Sequence, residues 1–144
     1  MSEKIDIPAS SVFANFNNDS AYKIVDGNSR TKWVGGQFPG YVDIKLDGIY
    51  KVDKIVLDCP KNDICIFSVF ASRDFLNFSE IVSQSSETSR NGHYELSCSV
   101  SACALRFLLK YESASSYAVL KNIEIFGCST GERAEKAVVD FPEN

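Results

Sequence analysis

The chain has 144 residues, 44% of them apolar, with ten Phe, six Tyr, one Trp and a formal charge of −4. That length suits one domain with a proper core, and that apolar content excludes a disordered chain. The negative balance, without a long Lys or Arg run, argues against nucleic acid or an anionic membrane as the main partner, and no apolar stretch reaches membrane-spanning length.

Residues 1–10 read as an irregular lead-in with Pro8 blocking a regular ladder, and without a hydrophobic signal core. Ser11 to Ala14 is a short first strand. Asn15 to Ala21, rich in Asn, Asp and Ser, is a loop with room for a helical turn. Then comes Lys23-Ile24-Val25-Asp26-Gly27-Asn28-Ser29-Arg30-Thr31-Lys32-Trp33, a polar turn ending on the only tryptophan. Its carboxylate, hydroxyl and backbone carbonyls are the oxygen donors a hard cation takes.

After a glycine-rich loop around Phe38, Tyr41 to Leu46 alternates cleanly, with Val42, Ile44 and Leu46 on one face, as a half-buried strand does. Asp47-Gly48 reads as a turn, and Val52 to Leu57 as the next strand. Further strands are expected at Ile64–Ala71, Phe78–Val82, Gly92–Ser97, Ala104–Tyr111 and Leu120–Gly127, separated by polar and serine-rich loops. Seven or eight short strands without an amphipathic helix indicate an all-β, antiparallel β-sandwich or jelly roll. The charged stretch 129–144 is expected to be a linker or an appended helix, leaving 1–128 as the domain. The five cysteines show no C-x-x-C spacing, so buried free thiols are favoured over a metal site or over Cys59–Cys65 and Cys98–Cys103 bridges.

Four pieces, in order, carry a resemblance to a known family. They are Val25-Asp26-Gly27-Asn28-Ser29-Arg30-Thr31-Lys32-Trp33, Tyr41-Val42-Asp43-Ile44-Lys45-Leu46-Asp47-Gly48, Val69 to Phe78, and Leu120-Lys121-Asn122-Ile123-Glu124-Ile125-Phe126-Gly127. Spanning roughly Ile7 to Gly127, the chain resembles a discoidin (coagulation factor 5/8 type C) domain. Within that group it is most similar to the bacterial family 32 carbohydrate-binding modules. Phe75 replaces the usual glycine after Asp74, Phe78 replaces a tryptophan, and Cys128 has no N-terminal cysteine to pair with.

The resemblance implies an eight-stranded, galactose-binding-domain-like β-sandwich jelly roll with binding loops at one end. It also implies a structural calcium held by the Lys23 carbonyl, Asp26, the Asn28 carbonyl, Thr31, the Ile123 carbonyl and Glu124. Glu124 interrupts an apolar strand, and a carboxylate placed there needs a cation or donors. Trp33 is expected in the core.

A catalytic reading finds little support. No carboxylate pair stands out for glycoside hydrolysis, no G-x-S-x-G surrounds a serine, and the single histidine, His93, reads as a surface residue. Sugar recognition calls for a stacking aromatic and a few polar groups. The positions for a galactose site carry Val34 and Lys61 in place of His and Arg, so that site is altered. Phe38, Lys61, Asn62, Asp63 and Tyr117 are the ligand candidates, with Arg90 and His93 outside the main set.

The expected function is a non-catalytic carbohydrate-binding module with a galactose-type or other hexose ligand. It would be monomeric and ancillary to a larger secreted glycan-degrading enzyme, acting extracellularly or in the periplasm beside neighbouring domains, with the leader absent from this chain. The alternative is a discoidin-type protein-interaction or architectural domain that binds no glycan.

Overall fold

A computed structural model describes residues 3–28, 30–35, 40–59, 65–84, 92–112 and 119–132. Its strands are β1 (Glu3–Lys4), β2 (Val12–Ala14), β3 (Trp33–Val34), β4 (Gly40–Asp58), β5 (Cys65–Ser72), β6 (Ser79–Gln84), β7 (His93–Glu112), β8 (Val119–Leu120) and β9 (Asn122–Glu132). A 3-10 segment, Asn18–Val25, precedes the polar turn and buries Ala21 and Ile24. The strand pairs are antiparallel, along the path β1-β9-β4-β7-β5-β6 with β2 added on β4, while β3 and β8 form a separate two-stranded sheet.

This path folds over on itself because β4 and β7 each bend. The first part of β4 pairs with β2 and with the second part of β7, whereas its second part pairs with β9 and the first part of β7. At the bend Lys45 faces Ala104 and Tyr50 faces Ala102, so residues 46–49 stand opposite Cys103 alone. Such an excess on one strand turns a ladder sharply. The small residues Ser101, Ala102, Cys103 and Ala104 let β7 follow. Folding over is required by one contact: Phe67 pairs with Leu109 in the ladder, yet its ring meets Tyr94 edge-on at 5.2 Å. In a straight strand Tyr94 and Leu109 would lie about 50 Å apart.

The two layers close on a single core that includes Val42, Ile44, Phe67, Leu105 and Phe107 from one side and Val52, Ile55, Leu57, Ile123 and Ile125 from the other. Trp33 is fully buried among them, as expected, and its indole N–H donates to the Phe16 carbonyl at 2.8 Å. The buried ring needs that partner, because an unpaired indole N–H in a core is costly.

Several expectations change. Asp47-Gly48 is no turn between strands but part of the bend inside β4, and the strands expected at 92–97 and 104–111 are, from His93 on, two parts of one bent strand, β7. Short-range patterning reads each limb as a separate strand because the buried face switches at the bend. The lead-in is not wholly irregular: β1 joins the β9 edge and Ile5 enters the core, its N–H donating to the Ile125 carbonyl. The domain also extends past 128, since Ser129 and Glu132 pair with Tyr50 and Ile49 and the Thr130 hydroxyl donates to the Ile49 carbonyl at 2.8 Å. Only 133–144 of the expected linker lies outside the described residues. Cys59 and Cys103 are buried, as expected, Cys98 is half-buried and Cys128 is exposed.

The departure at Phe75 has a structural cost. Its φ is +68°, the left-handed region that suits the glycine it replaces, and a side chain there costs about 1–2 kcal/mol. Asp74 holds the turn by accepting from the Asn77 and Leu76 amides. Those two backbone N–H bonds, with the Asn77 side chain, keep its carboxyl well below the usual carboxylate range. The ring also packs under the Lys45 ammonium at 5.5 Å, with Phe13 on the other side at 4.9 Å.

At Gly127 β9 passes close against the β4 backbone. A Cβ built there would lie 2.2 Å from the Lys51 carbonyl oxygen, well inside van der Waals contact. Gly127→Ala is therefore expected to destabilise the fold by about 1–3 kcal/mol, seen as a lower denaturant midpoint at unchanged m-value.

Candidate functional site

The bends bring the strand ends beside most of the loops to one end of the sandwich. Gly40 pairs with Leu109, Cys65 with Glu112, Phe67 with Gln84, Val34 with Val119, and Asp58 with both His93 and Asn122. The segments 36–39, 60–64, 85–91 and 113–118 thus leave from the same end. The candidates Phe38, Lys61, Asn62, Asp63, Arg90 and Tyr117 fall within these segments and lie outside the described residues. What is fixed is where their chains depart and return.

At the same end sits the polar turn after the 3-10 segment. Gly27 takes φ +73°, which reverses the chain and aims the following groups inward. The Asp26 carboxylate accepts from the Asn28 amide at 2.9 Å, and the Asn28 side chain accepts from the Arg30 amide at 2.9 Å. Thr31 Oγ1 stands 2.8 and 3.0 Å from the two Asp26 oxygens, 3.0 Å from the Asn28 carbonyl and 3.4 Å from the Lys23 carbonyl. A hydroxyl carries one proton and satisfies one of these four acceptors at a time. The remaining lone pairs, all on hard oxygens, form a donor set that fits a calcium-like cation.

The strand side of the expected cation site is arranged differently. Val25, Gly27, Asn122 and Ile123 line one cleft of about 200 Å³ together with Lys4 to Ile7. The Ile125 carbonyl accepts from Ile5 on this edge, and by strand alternation the Ile123 carbonyl emerges on the same edge. Glu124 belongs to the outer face of β9 and forms an ion pair with Lys4 at 3.7 Å, its side chain 31% exposed. The structure thus gathers Lys23, Asp26, Asn28 and Thr31, places Ile123 beside them, and gives the Glu124 carboxylate a lysine partner. Among the described residues no three His, Cys, Asp or Glu side chains group to hold a metal, so an ion here would rely on the single Asp26 carboxylate together with carbonyls and the hydroxyl.

Two charged assemblies escaped sequence reasoning. On the outer face of β4 and β7, Arg106 donates to both Asp43 oxygens at 2.7 and 2.8 Å, and its guanidinium lies between the Tyr41 and Phe78 rings at 4.7 and 4.6 Å. The Asp43 bonds raise the Arg106 pKa further. An arginine inside the apolar run 104–111 was the available signal.

The second assembly lies at the loop end. His93 Nδ1 is 2.6 Å from Asp58 Oδ1, and Nε2 is 3.0 Å from Glu95 Oε2. These hydrogen bonds, Glu95 first and then Asp58, raise the His93 pKa, while the His93 bond lowers that of Glu95. Asp58 is 35 positions from His93 in the chain, so only the ladder could reveal the pair. The exposed His93 expected from the sequence is therefore exposed but engaged on both nitrogens.

The bent-strand β-sandwich with its loops gathered at one end has counterparts among solved structures. The CBM32 of AlyQ, solved in complex with 4,5-unsaturated mannuronic acid, superposes with a TM-score of 0.76 at 19% identity, covering 85% of this chain and 97% of that one. A pectin-binding carbohydrate-binding module gives 0.74 at 19% identity over 84% and 91%. A family 89 glycoside hydrolase from Clostridium perfringens gives 0.76 at 24% identity over 86% of this chain, which spans only 14% of that enzyme. No protein-family model and no curated protein matches the chain. The chain has the discoidin-like β-sandwich fold of the family 32 carbohydrate-binding modules.

The Thr31 hydroxyl is central to the polar turn whether or not an ion is bound. Thr31→Val is expected to cost about 1 kcal/mol or more in calcium-free buffer, while Thr31→Ser, which keeps the hydroxyl, retains most of the stability. Thermal unfolding of the two variants beside the wild type measures the difference.

Proposed function

We propose that this chain is a non-catalytic carbohydrate-binding module whose glycan site lies at the end where segments 36–39, 60–64, 85–91 and 113–118 depart. The observation that carries the reading is that convergence, on a fold shared with modules described in complex with sugars or as pectin-binding. Phe38 is the stacking platform, and Lys61, Asn62, Asp63 and Tyr117 supply polar contacts to hydroxyls. The ligand is a galactose-type or other hexose.

A structural calcium belongs to the same proposal. The Lys23 and Asn28 carbonyls, Asp26 and Thr31 would hold it, with the Ile123 carbonyl and Glu124 as the candidates from β9. Glu124 would have to leave Lys4 to take part. When bound, the ion would add charge neutralisation and a staple between the turn and the last strand; the chain's own residues position the loops. The share of the hydrolase that this fold occupies supports an ancillary role in a larger secreted glycan-degrading enzyme.

A glycan array in calcium-containing buffer tests the first part. Wild-type protein is expected to retain a hexose-containing glycan and Phe38→Ala to lose at least tenfold in affinity. Retention of no glycan by the wild type overturns the reading in favour of a protein-interaction domain.

Melting curves test the second part. Calcium at about a hundredfold over its Kd adds about 2.7 kcal/mol, or a Tm higher by roughly 5–10 °C. Asp26→Asn is expected to abolish that rise, and superimposed curves with calcium and with EDTA would refute the site.

A further inference from the structure

The Asp58–His93–Glu95 assembly sits where three loop-bearing stretches of chain meet. Asp58 ends β4 just before 60–64, His93 begins β7 just after 85–91, and Asn122 begins β9 after 113–118. Asp58 ties all three. Its Oδ1 meets His93 Nδ1, its Oδ2 accepts from Asn122 Nδ2 at 3.0 Å, and its backbone carbonyl accepts from the Lys121 amide at 2.8 Å. Beside it the Cys59 amide donates to the Gly92 carbonyl at 2.8 Å.

We propose that His93 is a proton-operated latch that holds the bases of these loops together when its ring is charged and loosens them when it is neutral. The inference rests on the carbohydrate-module reading only for the purpose it serves, which is to set how firmly the binding loops are held.

The chemistry follows from the proton count. A charged imidazole donates from both nitrogens, one to Asp58 and one to Glu95. A neutral ring has one N–H, so one of these contacts becomes lone pair against carboxylate and repels. Among the described residues the groups around the ring leave little to compensate. From β4 come Asp58 and Lys54, from β7 Glu95, and from β9 Asn122 and the outward Glu124, which is occupied with Lys4 of β1. Lys54 acts on Glu95 and also stacks on Phe126 at 4.6 Å. Loss of the histidine proton takes Asp58, His93 and Glu95 from one net negative charge to two.

The sign is set by the direction of the shift. Because the folded-state pKa of His93 is raised above its ordinary value, the stabilisation is complete below that value and is lost as pH climbs through the folded pKa. The latch therefore closes in mildly acidic surroundings and opens in alkaline ones.

The test uses the whole chain and two NMR readouts. The His93 ring protons are expected to titrate above the ordinary histidine pKa. Protection of the Cys59 and Lys121 amides against hydrogen exchange, corrected for intrinsic rate, is expected to fall about tenfold or more between about pH 5.5 and about pH 8.5. In His93→Gln that fall should vanish while core amides such as Ile55 keep their protection. Titration at or below the ordinary value, or an identical pH response of Cys59 and Lys121 in wild type and variant, overturns the latch. Neither readout involves a glycan, so a failed array and a failed latch are separate results.

Discussion

The end where the loops gather depends on two strands, β4 and β7, that each bend over the same core. β4 and β7 each serve both layers, and the residues that make this possible are the stretch 46–49, in excess over its β7 partner, and the small residues 101–104 opposite it. The bends direct the two limbs of each strand back to the same end, so loops far apart in sequence leave side by side. A flat continuation of either ladder would have separated Phe67 from Tyr94 and scattered those loops. The core of the sandwich and the geometry of the site are thus one constraint.

Around that end the structure places charge and oxygen in two distinct ways. The Asp26 turn concentrates lone pairs around a single hydroxyl proton, an arrangement poised for a hard cation. The Asp58 assembly instead matches two carboxylates to a ring that can carry two protons. The first is proposed to take a divalent ion and the second to answer to pH, and both lie beside the segments proposed to meet the ligand. At the opposite end Phe75 takes a left-handed conformation in the Asp74 turn and packs against Lys45.

Much of this was legible from residues alone. Alternation in 41–46 put Val42 and Ile44 in the core, and the polar turn before Trp33 was recognisable as a set of hard oxygen donors whose last residue is buried. Glu124 shows the limit of such reading. A carboxylate between Ile123 and Ile125 called for a cation or donors, and which of the two it meets was not readable: period-2 alternation turns it to the outer face, where Lys4 of a short N-terminal strand meets it. The pairing partner of a strand decides such cases, and a sequence does not name it.

The sequence by itself determined the class of fold, the buried tryptophan and the composition of the oxygen-rich turn. These rest on local periodicity and on residue types close together in the chain. Tertiary structure alone decided that β4 and β7 are continuous bent strands, that the domain runs through Glu132, and that Asp58 and Asn122 stand 64 positions apart in the chain yet share a hydrogen bond. Each of these depends on register across a bend, and register is set by how two layers pack, a property no short stretch of sequence contains.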